Sequence, residues 1–304
     1  MFVLIKRLAS AAVIVSCVLL LVGLDHYLGR AGVLNRPGLI LALVSVIVVT
    51  VAAGELAVIW RRANIAVDVG WVIFVTGLAG TAACLPLWAP DLTRHLAGGC
   101  FESWVFGLTI STAIFFALEM IRLESVPNQS NRLGRHLMIV VYLTMPLAFL
   151  VALRTSHSDN NYGMAAFLAV VVTVKLSDVG AYFVGKTWGR RPLAPRLSPK
   201  KTIEGAIGGM AGGVLGAAIM WIAVAPLCFA LASPPLWFAL CYGVLVSAAG
   251  MFGDLAESFI KRDAHTKDSS NWLPGLGGVL DIIDSLIFAL PIAHLLLTKG
   301  QALS

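Results

Sequence analysis

Residues 38–60 read GLILALVSVIVVTVAAGELAVIW, an apolar stretch with one charged side chain, Glu55. A membrane-spanning helix needs about 20 predominantly apolar residues, so this stretch predicts a helix that crosses a bilayer. The chain of 304 residues is similar throughout, with 59% hydrophobic residues, 12% charged residues and a mean hydropathy of +0.88. Soluble domains carry about a quarter charged residues. The composition therefore predicts an integral membrane protein and excludes a soluble globular domain.

Similar stretches recur along the chain and predict an all-α, polytopic bundle of about nine transmembrane helices. The predicted spans are 8–26, 38–60, 67–88, 103–121, 137–153, 163–185, 203–231, 235–253 and 279–298. Lys6 and Arg7 before the first span resemble the start of a signal peptide. The apolar run that follows is long for a signal peptide and has no convincing cleavage site, so we expect an uncleaved span.

Lys and Arg residues concentrate on one side of the predicted spans. With the N-terminus inside, 16 of the 22 basic residues fall in inner segments, five fall outside, and Lys175 lies within a span. Because cytoplasmic loops are enriched in Lys and Arg, we expect a cytoplasmic N-terminus and an external C-terminus. The formal charge of +6 is then a consequence of membrane topology, and we expect no nucleic-acid partner.

Glycines recur at every fourth position in the seventh predicted span. The two series are Gly205, Gly209 and Gly213, and Gly208, Gly212 and Gly216. Small residues at this spacing let helices approach closely in lipid. They predict packing against a neighbouring helix or against a second subunit, which would form a homodimer through this glycine-rich helix.

Ionisable side chains inside predicted spans are energetically costly and are functional candidates by default. Four regions stand out, namely Glu55, Lys175 with Asp178, Asp254 with Glu257, and Asp281 with Asp284. The predicted topology places all of them in the inner half of their spans or at the inner ends, where they can share one chamber at the inner membrane surface. Lys175 and Asp178 are also spaced i, i+3, as expected of a structural ion pair.

Two acidic helix faces flank the loop between the last two predicted spans. The first, at i, i+3, i+4 and i+7, consists of Asp254, Glu257, Ser258 and Lys261. The second, at i, i+3 and i+4, consists of Asp281, Asp284 and Ser285. Since the loop leaves and re-enters on one side, the faces can meet at one depth, and converging carboxylates suit Mg²⁺. Alternatively, Asp281 and Asp284 only stabilise the positive end of the last helix.

Two loops predict contacts with phosphate. Residues 274–278 read PGLGG just before the last helix, where a phosphate can approach backbone N–H groups, although a plain turn fits as well. In the other loop, we predict that Ser198 is the N-cap and that Pro199 begins a helix. Lys200 and Lys201 then fall in the first turn, where cations oppose the helix dipole. A bound phosphate would remove this conflict.

A long pattern across residues 258–284 resembles the signature of the phosphatidate cytidylyltransferase (CDP-diacylglycerol synthase) family. The matching residues are Ser258, Lys261, Arg262, Lys267, Asp268, Pro274, Gly277, Gly278, Asp281 and Asp284. Residues 177–209, SDVGAYFVGKTWGRRPLAPRLSPKKTIEGAIGG, look like a second block of that family. Leu276 and Ile282 depart from the signature, which has His and Arg there. The first 150 residues match only as a run of apolar spans.

The resemblance implies transfer of CMP from CTP to the lipid phosphate phosphatidate, at the cytoplasmic face of a bacterial inner membrane. Residues 1–160 would be a transmembrane scaffold and residues 161–304 the catalytic region. The resemblance implies Mg²⁺ on Asp254 and Asp281, with a monovalent cation nearby. The implied catalytic residues are Asp254, Asp281, Asp284, Lys261, Lys267 and Asp268. The implied substrate-binding residues are Asp178, Lys186, Arg196, Ser198, Lys200, Lys201, Thr202, Glu204, Ser258, Arg262, Gly277 and Gly278.

Three alternatives stay open at this point. A CTP-dependent polyprenol kinase, or a cytidylyltransferase for another lipid phosphate, would use similar polar groups with a different acceptor. A transporter would use the intramembrane charges as an ion path, but it predicts charges at all depths of the membrane. A degenerate paralogue would bind lipid or a partner without turnover, and the departures at Leu276 and Ile282 keep that alternative open.

Overall fold

The protein is an integral membrane protein built almost entirely from helices. The computed structural model describes residues 20–29, 31, 38–96, 99–121, 129–155, 160–266, 270 and 277–300. Within these residues, seven helices are long and apolar enough to cross a membrane. The predicted all-α polytopic architecture is confirmed, with nine as an approximate count, and most of the first predicted span lies outside the described residues.

The chain forms two compact units. The first comprises residues 1–152 and 263–282, and the second comprises residues 153–262 and 283–304. The predicted division into a scaffold (residues 1–160) and a catalytic region (residues 161–304) concerns function, and it stays a prediction.

The first unit contains most of the N-terminal helices. These are α1 (residues 20–29), α2 (Leu39–Arg62), α3 (Val69–Ala83), α4 (Leu85–Trp88), α5 (Pro90–Leu96), α6 (Cys100–Ile121) and most of α7 (Gln129–Thr155). A Cβ on Gly80 of α3 would contact Val46 of α2 and Leu147 of α7 at 3.4–3.7 Å. The three helices therefore pack closely around small side chains, and fully buried Ala52, Leu56 and Leu143 belong to this core.

The third predicted span is not one continuous helix. We expected a helix over residues 67–88, but α3 ends at Ala83, Cys84 forms a turn, and two short helices follow. Pro86 lies in the first turn of α4, and Pro90 begins α5. Proline lacks an N–H and clashes with the preceding helical turn, so each proline here ends one helix and starts another.

The second unit contains the glycine-rich helix and its neighbours. Its elements are α8 (Asn160–Trp188), β1 (Pro192–Ala194), β2 (Ser198–Thr202), α9 (Ile203–Ala218), a π-helical turn (Ile219–Val224), α10 (Ala225–Phe229), α11 (Leu236–Asp263) and the larger part of α12 (Leu280–Gly300). The strands β1 and β2 form a two-stranded antiparallel hairpin. The helices α9 and α10 and the π turn between them together make one apolar span.

The glycines of α9 pack against neighbouring helices of the same chain. A Cβ on Gly212 would overlap the carbonyl oxygen of Leu176 in α8, and a Cβ on Gly208 would overlap Val184. On the other side, Gly213 faces Gly243 and Ser247 of α11. The predicted packing against a neighbouring helix is confirmed, and packing against a second subunit stays a prediction.

The substitution Gly212→Ala is expected to destabilise the second unit by about 1–3 kcal/mol, because the new methyl group meets rigid backbone in a packed interface. Thermal unfolding in detergent micelles would measure the loss. The matched control is Gly134→Ala in α7, where a Cβ meets nothing within 4 Å. That control should be neutral or slightly stabilising, since alanine is the better helix former. Equal melting temperatures for the two variants would contradict the packing argument.

Candidate functional site

The segment before α9 is a strand, and the predicted helix start at Ser198 is wrong. In the hairpin, Pro192 lies opposite Thr202 and Ala194 lies opposite Ser198. Thr202 caps α9, because its Oγ1 accepts a hydrogen bond from the Gly205 N–H at 3.1 Å. The backbone at Thr202 is extended, with φ −119° and ψ 155°, as an N-cap requires. Pairing with β1 therefore holds Ser198–Thr202 in a strand, and the helix begins one residue later, at Ile203.

The strand separates the two lysines that the sequence placed together. Lys201 Nζ lies 2.5 Å from Asp254 Oδ2 in α11. Lys200 is exposed, because successive side chains along a strand point to opposite faces. The prediction that both lysines lie in the first turn of a helix is therefore wrong. The structure brings Lys201 to the carboxylate of Asp254.

Three carboxylates converge beside this lysine. One oxygen from each of Asp254, Glu257 and Asp284 lies within 4.8 Å of the others. Glu257 is 1% exposed and Asp284 is 6% exposed. Asp284 Oδ1 accepts hydrogen bonds from Ser285 N–H at 2.5 Å and from Ser285 Oγ at 3.0 Å. We call Asp254, Glu257 and Asp284 the carboxylate cluster.

A glycine explains why the two helices that carry the cluster approach so closely. A Cβ on Gly253 would overlap the carbonyl oxygen of Asp284 and would lie 3.2 Å from Ser285 Cα. Gly253 precedes Asp254 directly, so the close approach of α12 and the first carboxylate of the cluster occur at the same turn of α11.

Two ammonium groups partly balance the charge of the cluster. Lys261 Nζ lies 2.8 Å from Glu257 Oε2, one turn along α11, and Lys201 pairs with Asp254. Three carboxylates thus face two cations, which leaves one net negative charge in a largely buried site. Burying unbalanced charge is costly, so these side chains could hold a further cation.

Lys175 and Asp178 form the predicted i,i+3 pair on α8. Lys175 Nζ lies 3.4 Å from Asp178 Oδ2, and both side chains are somewhat more than 40% exposed. The pair also interacts electrostatically with the cluster: Asp178 with Asp254 and Lys201, and Asp284 with Lys175. Asp178 is therefore both a partner of Lys175 and part of the charge distribution around the site.

Other predicted residues hold or surround the hairpin. Glu204 Oε2 accepts hydrogen bonds from the backbone N–H groups of Arg190 at 3.0 Å and Arg191 at 3.2 Å. Arg262 Nε donates to the carbonyl oxygen of Leu197 at 3.1 Å. Lys186 Nζ lies 3.3 Å from Tyr182 Oη. Glu204 and Arg262 thus stabilise the hairpin through hydrogen bonds to its backbone and to the residues just before it. Arg196 is exposed, and Ser198 and Ser258 are partly exposed.

The glycine turn and Asp281 belong to the first unit. Gly277 has φ +89°, a conformation that glycine adopts without strain. The Gly278 N–H donates to Asp281 Oδ2 at 2.6 Å. Asp281 thus stabilises the turn directly before its own helix. The predicted residues Lys267 and Asp268, and the departure Leu276, lie outside the described residues.

Two acidic residues at these sites were absent from the predicted site residues. Glu257 completes the carboxylate cluster, and its i+3 spacing from Asp254 was the available signal. Glu55 of α2 accepts hydrogen bonds from Ser270 Oγ at 2.7 Å and from Leu280 N–H at 2.9 Å. Its position inside an apolar span marked it as a candidate, but its hydrogen-bond partners could not be predicted from the sequence.

The sequence matches a model of the cytidylyltransferase family over residues 5–299. The chain belongs to this family. The assignment agrees with the resemblance seen in residues 177–209 and 258–284. In this cytidylyltransferase-family chain, both segments contribute to the site in the second unit. Lys201 comes from residues 177–209, and Asp284 comes from residues 258–284.

The relatives of this chain include three bacterial proteins that carry the name phosphatidate cytidylyltransferase. The one from Chlamydia muridarum is 30% identical over 237 residues, which is 77% of this chain and 73% of that protein. The one from Chlamydia trachomatis is 34% identical over 55% of each chain. The one from Bacillus subtilis is 35% identical over 55% of this chain and 59% of that protein. The chain thus spans little more than half the length of two of these relatives.

Proposed function

We propose that the protein transfers CMP from CTP to phosphatidate, which yields CDP-diacylglycerol and pyrophosphate. The carboxylate cluster with its adjacent lysines is the observation that carries this proposal. It pairs hard oxygen ligands with ammonium groups, as a reaction between two phosphate-bearing substrates requires. The family assignment and the names of the relatives support the same reaction.

The donor set of the cluster fits Mg²⁺. This ion is typically bound by one or two carboxylates together with substrate phosphates, and the cluster offers three carboxylates with one uncompensated negative charge. Asp254 belongs to the cluster. It is also one of the two metal ligands, Asp254 and Asp281, that the family resemblance implies. When bound, a divalent ion would neutralise phosphate charge and polarise the phosphorus–oxygen bonds.

The reaction requires one bond to form and one to break at the α-phosphorus of CTP. A phosphate oxygen of phosphatidate attacks this phosphorus in line, and the bond to the oxygen that bridges the α- and β-phosphates breaks. The electron pair leaves with pyrophosphate. Lys201 and Lys261 supply positive charge beside the reacting phosphates, since phosphoryl transfer depends mainly on positioning and charge neutralisation. Lys267, Asp268 and Asp281 keep the roles that the resemblance implies.

The proposed site faces the cytoplasm of a bacterial inner membrane. The concentration of Lys and Arg in the loops on that side supports this orientation, and the relatives described above are bacterial proteins. CTP would enter from the cytoplasm, and the lipid would enter from the bilayer.

Labelled CTP distinguishes the proposed reaction from its alternatives. Purified protein is incubated with Mg²⁺, with CTP labelled at the α- or the γ-phosphate, and with one lipid at a time: phosphatidate, another lipid phosphate or a polyprenol. We expect α-label in the lipid product and γ-label in pyrophosphate. Transfer of γ-label to a polyprenol would indicate a kinase, and the absence of transfer to any lipid phosphate would indicate a non-catalytic paralogue.

A monovalent cation and a homodimer are further parts of the proposal. The cation is tested by comparing turnover in potassium and in choline salts at equal ionic strength. The homodimer is tested by measuring the mass of the protein in detergent micelles. Gly213 already faces α11, so a dimer would use another surface of the glycine-rich helix.

A further inference from the structure

Glu55 is an ionisable side chain inside a span and is not part of the carboxylate cluster. It lies seven residues before the end of α2. At 1.5 Å per residue, this places it about 10 Å from the helix end. A carboxylate at such a position is costly without hydrogen-bond partners. The structure shows two partners, Ser270 and Leu280, which are 215 and 225 positions away in the sequence. All three residues belong to the first unit.

Each carboxylate oxygen of Glu55 accepts a hydrogen bond from a different part of the chain. Oε1 accepts from Ser270 Oγ at 2.7 Å, in the segment between α11 and α12. Oε2 accepts from the backbone N–H of Leu280, the first residue of α12, at 2.9 Å. The first N–H groups of a helix have no acceptor within that helix, and a negative charge there interacts favourably with its dipole. Glu55 thus caps α12 from a different helix.

A second carboxylate, that of Asp281, binds the backbone of the turn directly before α12. Asp281 accepts from the Gly278 N–H, so the residues on both sides of Val279 are tied to carboxylates. Leu280 is fully buried, which leaves the start of α12 little freedom. With Glu55 in place, the backbone at Leu280 and the position of the next residue, Asp281, are fixed together.

We propose that Glu55 is a positioning residue for the start of α12, and that it holds Asp281 ready for its role in the reaction. The reaction and the role of Asp281 rest on the proposed function, whereas the anchoring itself rests on the two hydrogen bonds. In this proposal, Glu55 is not itself in contact with the reacting groups. It acts through the backbone of α12 and through the segment that contains Ser270.

The test compares Glu55→Gln with the wild-type protein. Glutamine keeps the shape but replaces one acceptor oxygen by a donor NH₂, so one of the two hydrogen bonds is lost. Changing groups that orient a metal site lowers activity about 10–100-fold, and we expect a fall in kcat of this size. The Mg²⁺ concentration for half-maximal activity should rise, while KM for CTP stays within about threefold. Hydrogen exchange of the backbone amides at 280–284 should become faster.

Two further variants separate positioning from a general loss of stability. Glu119→Gln removes another buried carboxylate of the first unit, whose Oε1 accepts from Arg132 Nε at 2.8 Å. This control should leave exchange at 280–284 and the Mg²⁺ requirement unchanged. Ser270→Ala should give a smaller loss than Glu55→Gln. The loss in the double variant should be smaller than the sum of the two single losses, because both residues act through the same side chain.

Unchanged amide exchange at 280–284 in Glu55→Gln would overturn the inference, and so would an equal loss of kcat in Glu119→Gln. A wild-type protein without CMP transfer would instead refute the proposed function. In that case, amide exchange still decides whether Glu55 anchors α12.

Discussion

Replacing Asp254 by asparagine is expected to lower CMP transfer about 10³-fold, because Asp254 would hold the ion that neutralises phosphate charge, and losing a cationic group from a phosphoryl-transfer site costs about this much. Asparagine keeps the shape of the side chain but removes its negative charge. It also leaves Lys201 without its carboxylate partner. Turnover with α-labelled CTP measures the loss, and binding of Mn²⁺, followed by paramagnetic resonance, reports on the metal directly.

The matched control is Asp263→Asn, which changes an exposed aspartate at the end of the same helix. It should retain wild-type turnover and Mn²⁺ binding. Asp281→Asn is expected to abolish transfer as well, because the family resemblance places the metal on both aspartates. Unchanged turnover in Asp281→Asn would remove Asp281 from the metal site, and unchanged turnover in Asp254→Asn would refute the site as a whole.

Replacing Lys201 by glutamine is expected to lower kcat/KM for CTP about 100-fold, the effect of losing a charged hydrogen-bond donor worth about 3 kcal/mol. The same change should make Mg²⁺ bind more tightly, because Lys201 and the metal compete for the charge of Asp254. Turnover and metal affinity therefore change in opposite directions. A general loss of folding would weaken both, so the pair of measurements identifies the cause.

Lys200→Gln is the natural comparison, since the neighbouring lysine has the same chemistry but an exposed position on β2. We expect at most a tenfold loss, without tighter Mg²⁺ binding. If Lys200→Gln and Lys201→Gln changed kcat/KM and Mg²⁺ affinity equally, the ion pair between Lys201 and Asp254 would not contribute to the activity. The site would then recognise phosphate through the general charge of the hairpin.

The periodicity of the sequence was sufficient to predict the acidic stripe of α11. Asp254, Glu257 and Lys261 lie on one face because helix geometry is fixed at 3.6 residues per turn. The same reasoning predicted that the glycines of α9 pack against a neighbouring helix. It failed before α9, where Ser198 and Pro199 have the local character of a helix start but pair with a strand.

Residues that depend on distant segments were predicted least well. Glu257 was recognised as part of a stripe, but its place in a cluster depends on Asp284 in another helix. Lys200 is exposed whereas Lys201 contacts Asp254, and this difference depends on the pairing of β2 with β1. Glu55 was recognised as a costly charge within a span, while its partners lie more than 200 positions away.

The sequence by itself determined that the protein lies in a membrane, where most of its spans run, and which residue types could handle phosphate. These properties follow from local hydropathy and from helical periodicity, which need no knowledge of distant contacts. Only the tertiary structure decided that Asp254, Glu257 and Asp284 converge, that Lys201 joins them, and that Glu55 caps α12. Those contacts form because glycines let helices approach and because buried charges require partners, wherever along the chain the partners occur.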